Sequence, residues 1–115
     1  MPAPISAIIV NYNAGTFLTN CVLATLNQVQ QIIVVDNASC DSSLLELEAR
    51  FPNEKRLQII RLNSNTGFAA GCNTGLSAST QPYILFLNPD CILGENSLHR
   101  MMEVMESDAS IGMVG

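Results

Sequence analysis

The chain has 115 residues, 48% hydrophobic and 13% charged, with a formal net charge of -5 and no block of Lys or Arg. That is one domain of ordinary size, so poor in charge that its strands must be covered on both faces or its surface must meet another segment. This argues against nucleic acid and anionic membrane as partners, since both rely on clustered cations, while an acidic pocket can still bind phosphate if a metal ion supplies the positive charge.

The elements alternate strand and helix. Residues 5–10, Ile-Ser-Ala-Ile-Ile-Val, are a short β-branched run. Residues 16–26 follow as a helix, with Leu18, Val22 and Leu26 on one stripe. Residues 31–35 are the second strand and 43–51 the second helix, where Ser43 and Glu46 have the spacing of a capping box. Residues 57–62 are the third strand. Residues 68–78 form a small-residue helix, and 83–87 the fourth strand, preceded by Pro82. A last helix begins near Asn96, with Leu98, Met101, Met102 and Met105 at core-facing spacing. Residues 111–114 read as the opening of a fifth strand.

Near-continuous apolar strands alternating with amphipathic helices predict an α/β fold, a doubly wound, mostly parallel sheet. A domain that stops at the start of a strand is expected to be truncated, here after the fourth βα unit. Cys21, Cys40, Cys72 and Cys91 are far apart and make no C-x-x-C pair, so buried free thiols are expected rather than zinc or redox chemistry. No apolar run reaches the length of a membrane span, and no leader pattern opens the chain, so a soluble, intracellular protein is expected.

In such a sheet, ligands bind beyond the carboxyl ends of the strands. The first strand exits through Asn11, Tyr12 and Asn13, and the second through Asp36, Asn37, Ala38 and Ser39. The third exits through Asn63, Ser64, Asn65, Thr66 and Gly67, and the fourth through Asn88, Pro89 and Asp90. Turn chemistry accounts for Asn and Gly at these places, but not for a carboxylate following two separate buried strands. Asp90 admits two roles, a metal ligand for a diphosphate or a turn residue; magnesium commonly takes only one or two protein carboxylates. Asp36 either accepts hydrogen bonds from a base or ribose or closes an Asx-turn. Asp41 is read as a helix cap.

Gly67, Gly71 and Gly75 recur every four residues, a spacing for close packing of helix on sheet; Gly67 can also bring a helix N-terminus near phosphate. Asn73 is a poor helix former in mid-helix, which suggests that it braces the loop after strand one or two. His99, off the apolar stripe, is read as solvated.

Taken together, Asn11-Tyr12-Asn13, Asp36-Asn37-Ala38-Ser39 with Asp41, Asn65-x-Gly67 leading to Gly71-x-Asn73-x-Gly75, and Leu87-Asn88-Pro89-Asp90 resemble family-two glycosyltransferases of the GT-A fold. The similarity is greatest to the branch that builds bacterial surface polysaccharides, including rhamnosyltransferases. It implies that residues 1–115 are the Rossmann-like, nucleotide-sugar-binding N-terminal portion, with the acceptor-binding part absent. It further implies that Val10, Asn11, Tyr12, Asp36, Asn37, Asn65, Gly67, Asn88 and Asp90 bind the nucleotide. Asp90 would carry Mg²⁺ or Mn²⁺ where the family has the last residue of Asp-x-Asp, and Asn88 replaces the first Asp. The implied reaction is inverting, metal-dependent transfer of a hexosyl or deoxyhexosyl group from a UDP- or dTDP-linked sugar to a glycan or lipid-linked acceptor. The general base would lie on a later segment, so no catalytic residue is assigned within the chain. The implied location is cytoplasmic, with the full-length protein peripheral at the inner membrane face, and a homodimer through an exposed sheet edge is expected. Two rivals remain. A nucleotidyltransferase would want a basic Gly-rich loop after strand one, where Asn11 to Gly15 carries no positive charge; the other rival is a non-catalytic assembly module.

Overall fold

Two consecutive apolar strands start the sheet and become its centre. In a computed structural model, which describes residues 2–107, β1 (Ala3–Asn11) and β2 (Val29–Asp36) pair in parallel, with Asn11 level with Asp36. Both run longer than their apolar cores predict. Ala3 pairs with Val29 ahead of a register irregularity, so each strand's start is set by its neighbour's hydrogen bonds rather than by its own side chains. β3 (Leu57–Arg61) adds beside β2, and β4 (Tyr83–Leu87) beside β1, giving the order β3-β2-β1-β4 with every pairing parallel. The doubly wound parallel sheet expected from the sequence is present.

The helices divide between the faces. α1 (Thr16–Thr25), α2 (Ser43–Arg50) and α4 (Ser97–Ser107) place Leu18, Cys21, Val22, Leu47, Leu98 and Met102 in one core with Ile5, Ala7, Ile9, Ile32 and Val34. α3 (Phe68–Ala78) crosses the opposite face, over Ile8, Ile33 and Val35. Apolar side chains on both faces of β1 and β2 are what a parallel sheet buried on two sides requires. The Met101, Met102 and Met105 stripe turns inward as its spacing predicts, and His99 is exposed, 2.8 Å from Glu103 one turn on.

α3 lies unusually close to the sheet. A Cβ on Gly71 would stand 2.8 Å from Val10 Cγ1, and one on Gly75 would stand 2.5 Å from Ile8 Cγ2. The four-residue glycine spacing therefore does the packing work expected of it. Gly67 does not share that contact; it caps α3 at φ 89°, in the left-handed region that glycine enters freely. Gln31 then fixes where α3 ends and β4 begins. Its Oε1 accepts from the Ser6 hydroxyl at 2.5 Å and the Thr80 N–H at 3.0 Å, and its Nε2 donates to the Ala78 carbonyl.

Three local expectations are corrected. Ser42, not Ser43, stands at the N-cap of α2, with its hydroxyl 3.3 Å from Glu46 Oε1; the Ser43 side chain is buried and bonded elsewhere. All four cysteines are free, but only Cys21 is buried: Cys40 is exposed on the β2–α2 loop, and Cys72 and Cys91 are half-buried. Asn73 is exposed on α3, and the loop after β2 is instead tied to the start of α3 by Asn37, one of its own residues. The expected fifth strand at 111–114 lies outside the described residues. No helix among those described is long and apolar enough to cross a membrane.

Candidate functional site

Because every strand is parallel, all four exits open on one edge. β1 leads toward β2 and β3 on one side, while β4 returns to the other side of β1. The strand order therefore reverses between β1 and β4, and the crevice at such a reversal is where open α/β sheets take ligands. Asn11, Asp36 and Asp90 stand at the strand ends of this same edge.

The exits of β1 and β2 are joined by a buried polar network. Asn11, fully buried, directs Nδ2 toward Asp36 Oδ1 at 2.9 Å, Ser43 Oγ at 2.9 Å and Ser39 Oγ at 3.2 Å. Asp36, 4% exposed, accepts the Ser39 hydroxyl at 2.7 Å on Oδ1 and the Ser39 N–H at 3.0 Å on Oδ2. A buried carboxylate is costly unless hydrogen-bonded, and Asn11 and Ser39 supply those bonds. Asn11 Oδ1 is itself buried without a partner.

Asp41 lies outside this core, and its Oδ1 accepts the Ser43 hydroxyl at 2.5 Å and the Ser43 N–H at 3.1 Å. It thus serves the start of α2, as its position ahead of a helix predicts. The Ser43 hydroxyl bond, foremost, holds the Asp41 carboxyl below its ordinary range, with backbone N–H groups of Ser43 and Gly15 adding to the effect.

Asn37 joins the exit of β2 to that of β3. Its Nδ2 donates to the Gly67 carbonyl at 3.0 Å, while Oδ1 accepts the N–H of Thr66 at 3.2 Å and its hydroxyl at 3.1 Å. Asn65 closes the same loop by accepting the Gly67 N–H at 2.9 Å. Val10 is 7% exposed and lies against α3 at Gly71, so it brings backbone rather than side chain to the edge.

The β4 exit is held from beneath. The Asn88 carbonyl accepts the Cys91 N–H at 3.0 Å, closing the turn, and lies 3.7 Å from the Cys21 thiol of α1. Burial pushes the Cys21 thiol up to about 11, and neighbouring Cys91 adds to the rise. It is therefore a neutral donor at physiological pH. Asn88 and Asp90 are exposed. Together they offer hard oxygen donors, and among the described residues no group of three His, Cys, Asp or Glu gathers to hold a metal. Such a donor set suits a cation that arrives with diphosphate oxygens and water, not one caged by protein.

The sequence-predicted residues thus fall into two sets. Asn11, Asp36 and Asn37 are buried and bonded to the scaffold, while Tyr12, Asn65, Asn88 and Asp90 face outward. Ser43 and Cys21 were not among the predicted site residues. An S-x-x-E spacing masked the first, and a lone helical Cys gives no signal for the second.

Residues 6–115 match the family described as Glycosyl transferase family 2, and the chain belongs to it. It is 32% identical over 111 residues to the glycosyltransferase GlyG of Streptococcus pneumoniae serotype 4, covering 93% of this chain and 37% of GlyG. It is also 32% identical over 104 residues to an uncharacterized glycosyltransferase of Haemophilus influenzae, covering 88% of this chain and 42% of that protein. Among solved structures, TarS 1–349 of S. aureus in complex with UDP-GlcNAc superposes with a TM-score of 0.79 at 21% identity, over 93% of this chain and 32% of TarS 1–349. That likeness is one of fold, and the four-stranded parallel sheet matches the GT-A architecture expected from the sequence. The chain spans well under half the length of these relatives.

Proposed function

We propose that this chain is the nucleotide-sugar-binding part of an inverting, metal-dependent glycosyltransferase. Its donor would be a UDP- or dTDP-linked hexose or deoxyhexose and its acceptor a glycan or lipid-linked sugar, in the manner of the enzymes that build bacterial surface polysaccharides. The observation that carries this reading is the reversal of strand order between β1 and β4, which sets the exposed Asp90 beside the β1 exit of a family-two chain.

In this reading Tyr12 and the loop braced by Asn37 meet the nucleoside, and Asp36 Oδ2, bonded to the Ser39 N–H, accepts a further hydrogen bond from its base or ribose. Asn65 and Gly67 border the ribose side. Asp90, with Asn88 beside it, binds Mg²⁺ or Mn²⁺. The metal, when bound, neutralises charge on the leaving diphosphate. The general base and the acceptor site are assigned to sequence corresponding to the remainder of the longer relatives. Work at the cytoplasmic face of the membrane and a homodimer through the free edge of β4 belong to the same proposal.

Titrating UDP and dTDP into the chain with Mn²⁺, with EDTA, and against Asp90→Asn tests the reading. Binding should occur with metal and vanish with chelator and in the variant, because one charge contact at ~4 Å in an effective dielectric of ~20 is worth on the order of 4 kcal/mol before desolvation. Metal-independent binding, or full affinity in Asp90→Asn, would reduce Asp90 to a turn residue. Failure of either nucleotide to bind the native chain would overturn the nucleotide-binding reading itself.

A further inference from the structure

Tyr12 is 51% exposed at the β1 exit, yet both of its neighbours are tied to the β2–α2 loop. On one side the Asn11 carbonyl accepts the Asn37 N–H at 2.9 Å, and the Asn11 amide enters the buried network. On the other side Asn13 holds φ at 51°, donates its N–H to Ser39 Oγ at 2.9 Å, and accepts on Oδ1 the N–H groups of Cys40 at 2.7 Å and Asp41 at 3.2 Å. Two residues further on, the Gly15 N–H donates to Asp41 Oδ2 at 2.9 Å.

We propose that Asn13 is a positioning residue for nucleotide binding, acting through Tyr12, whose backbone it fixes so that the ring is presented to the nucleoside before the ligand arrives. The inference rests on the reading above that Tyr12 meets the nucleotide. Its physical basis is pre-organisation. Asn tolerates the left-handed backbone that reverses the chain here, and its side-chain oxygen accepts from two successive N–H groups of the neighbouring loop. An aromatic ring on a loop ordered only at the moment of binding would lose affinity to that ordering. With Asn11 and Asn13 both anchored, the Tyr12 backbone is ordered in advance.

The test is calorimetric titration of UDP with Mn²⁺ into the native chain, Tyr12→Ala, Asn13→Gly, Asn13→Asp and the double variant Tyr12→Ala/Asn13→Gly. Mn²⁺-pyrophosphate, which lacks a nucleoside, is the control ligand. Asn13→Gly permits the left-handed backbone, removes the side-chain acceptor and loosens the loop; it should weaken UDP about tenfold, the scale of one lost base-stacking contact. Asn13→Asp keeps an acceptor at the same place and should recover most of that loss. The double variant should bind UDP no worse than Tyr12→Ala alone, since one side chain acts through the other. Pyrophosphate affinity should be unchanged throughout, a result that general loosening of the fold would not give. Native UDP affinity in Asn13→Gly, losses that multiply in the double variant, or an equal fall for pyrophosphate would each overturn the inference. Absence of UDP binding by the native chain would instead defeat the nucleotide-binding reading on which the inference stands.

Discussion

The two sides of the carboxyl edge are built on opposite plans. At the exits of β1, β2 and β3, Asn11, Asp36 and Asn37 are buried and bonded across elements, so three loops form one rigid wall. At the exit of β4, Asn88 and Asp90 are exposed, and the turn is held through one carbonyl by Cys21 and Cys91. In the proposed reading the wall would be finished before a ligand arrives, whereas the Asp90 side would leave coordination to be completed by it. Affinity for a rigid, planar group benefits from the first arrangement. A cation that keeps several waters and phosphate oxygens suits the second.

Breaking the wall should have the largest effect. Asn11→Ala removes the amide from Asp36, Ser39 and Ser43 and leaves a buried carboxylate short of donors. A loss of about 2–3 kcal/mol in unfolding free energy is expected, on the scale of removing a buried hydrogen bond to a charged group. Urea denaturation measures it, and a change under 1 kcal/mol would mean that the network is loose. Gly75→Ala comes next. The new Cβ meets Ile8 Cγ2 at 2.5 Å, and overpacking of this kind costs about 1–3 kcal/mol by the same measurement. Asp90→Asn, on the open side, should change stability by less than about 0.5 kcal/mol while removing metal-dependent UDP binding. A variant as destabilised as Asn11→Ala would erase the contrast between the two sides.

How much of this was legible in the sequence differs between the same two regions. The fold was readable from apolar runs alternating with helical stripes, because a sheet buried on both faces leaves that pattern in its central strands. The exits were readable because Asn, Asp and Gly follow the runs. The wiring of the wall was not. Ser43 reads as a cap from Glu46 three residues on, but its hydroxyl meets an Asn11 amide 32 residues earlier, and Ser42 takes the cap instead. Local spacing carries no record of that tertiary partner. Asn73, a misfit in its helix, suggested a brace that Asn37 provides from a strand end, where the geometry lets one amide reach both Thr66 and Gly67. Cys40 was expected to be buried from residue type, but its place on an exposed loop decides the matter. The place of Asp90, exposed just after β4, was the easiest to read because it depends on position after a strand and little on hidden partners.

A smaller effect sharpens the comparison at Ala38, which lies in the wall at φ 61°. A side chain in that region costs about 1–2 kcal/mol, partly offset by the entropy a glycine loses on folding. Ala38→Gly should therefore stabilise the chain by about 0.5–1 kcal/mol in urea denaturation. A loss of stability would mean that the Ala38 methyl makes a contact that outweighs the strain.

The smallest effect is a pH dependence at the outer margin of the wall. Asp41 bonds Ser43 and the Gly15 N–H as a carboxylate, and its folded-state pKa is lowered chiefly by the Ser43 hydroxyl. A carboxyl lowered in the folded state releases its proton more readily there than in the unfolded chain, so it adds stability above the unfolded pKa. That contribution fades as pH falls through the lowered folded value. Because Asp41 is exposed, solvent screens it and the contribution is small. Asp41→Asn keeps an acceptor in place and removes the charge. Melting temperatures of the native chain and this variant should differ by a small constant above the ordinary carboxylate range, then converge as the solution becomes more acidic than that range. A difference that stayed constant into strong acid, or grew there, would show that the Asp41 charge does not help to hold the β1 and β2 exits together.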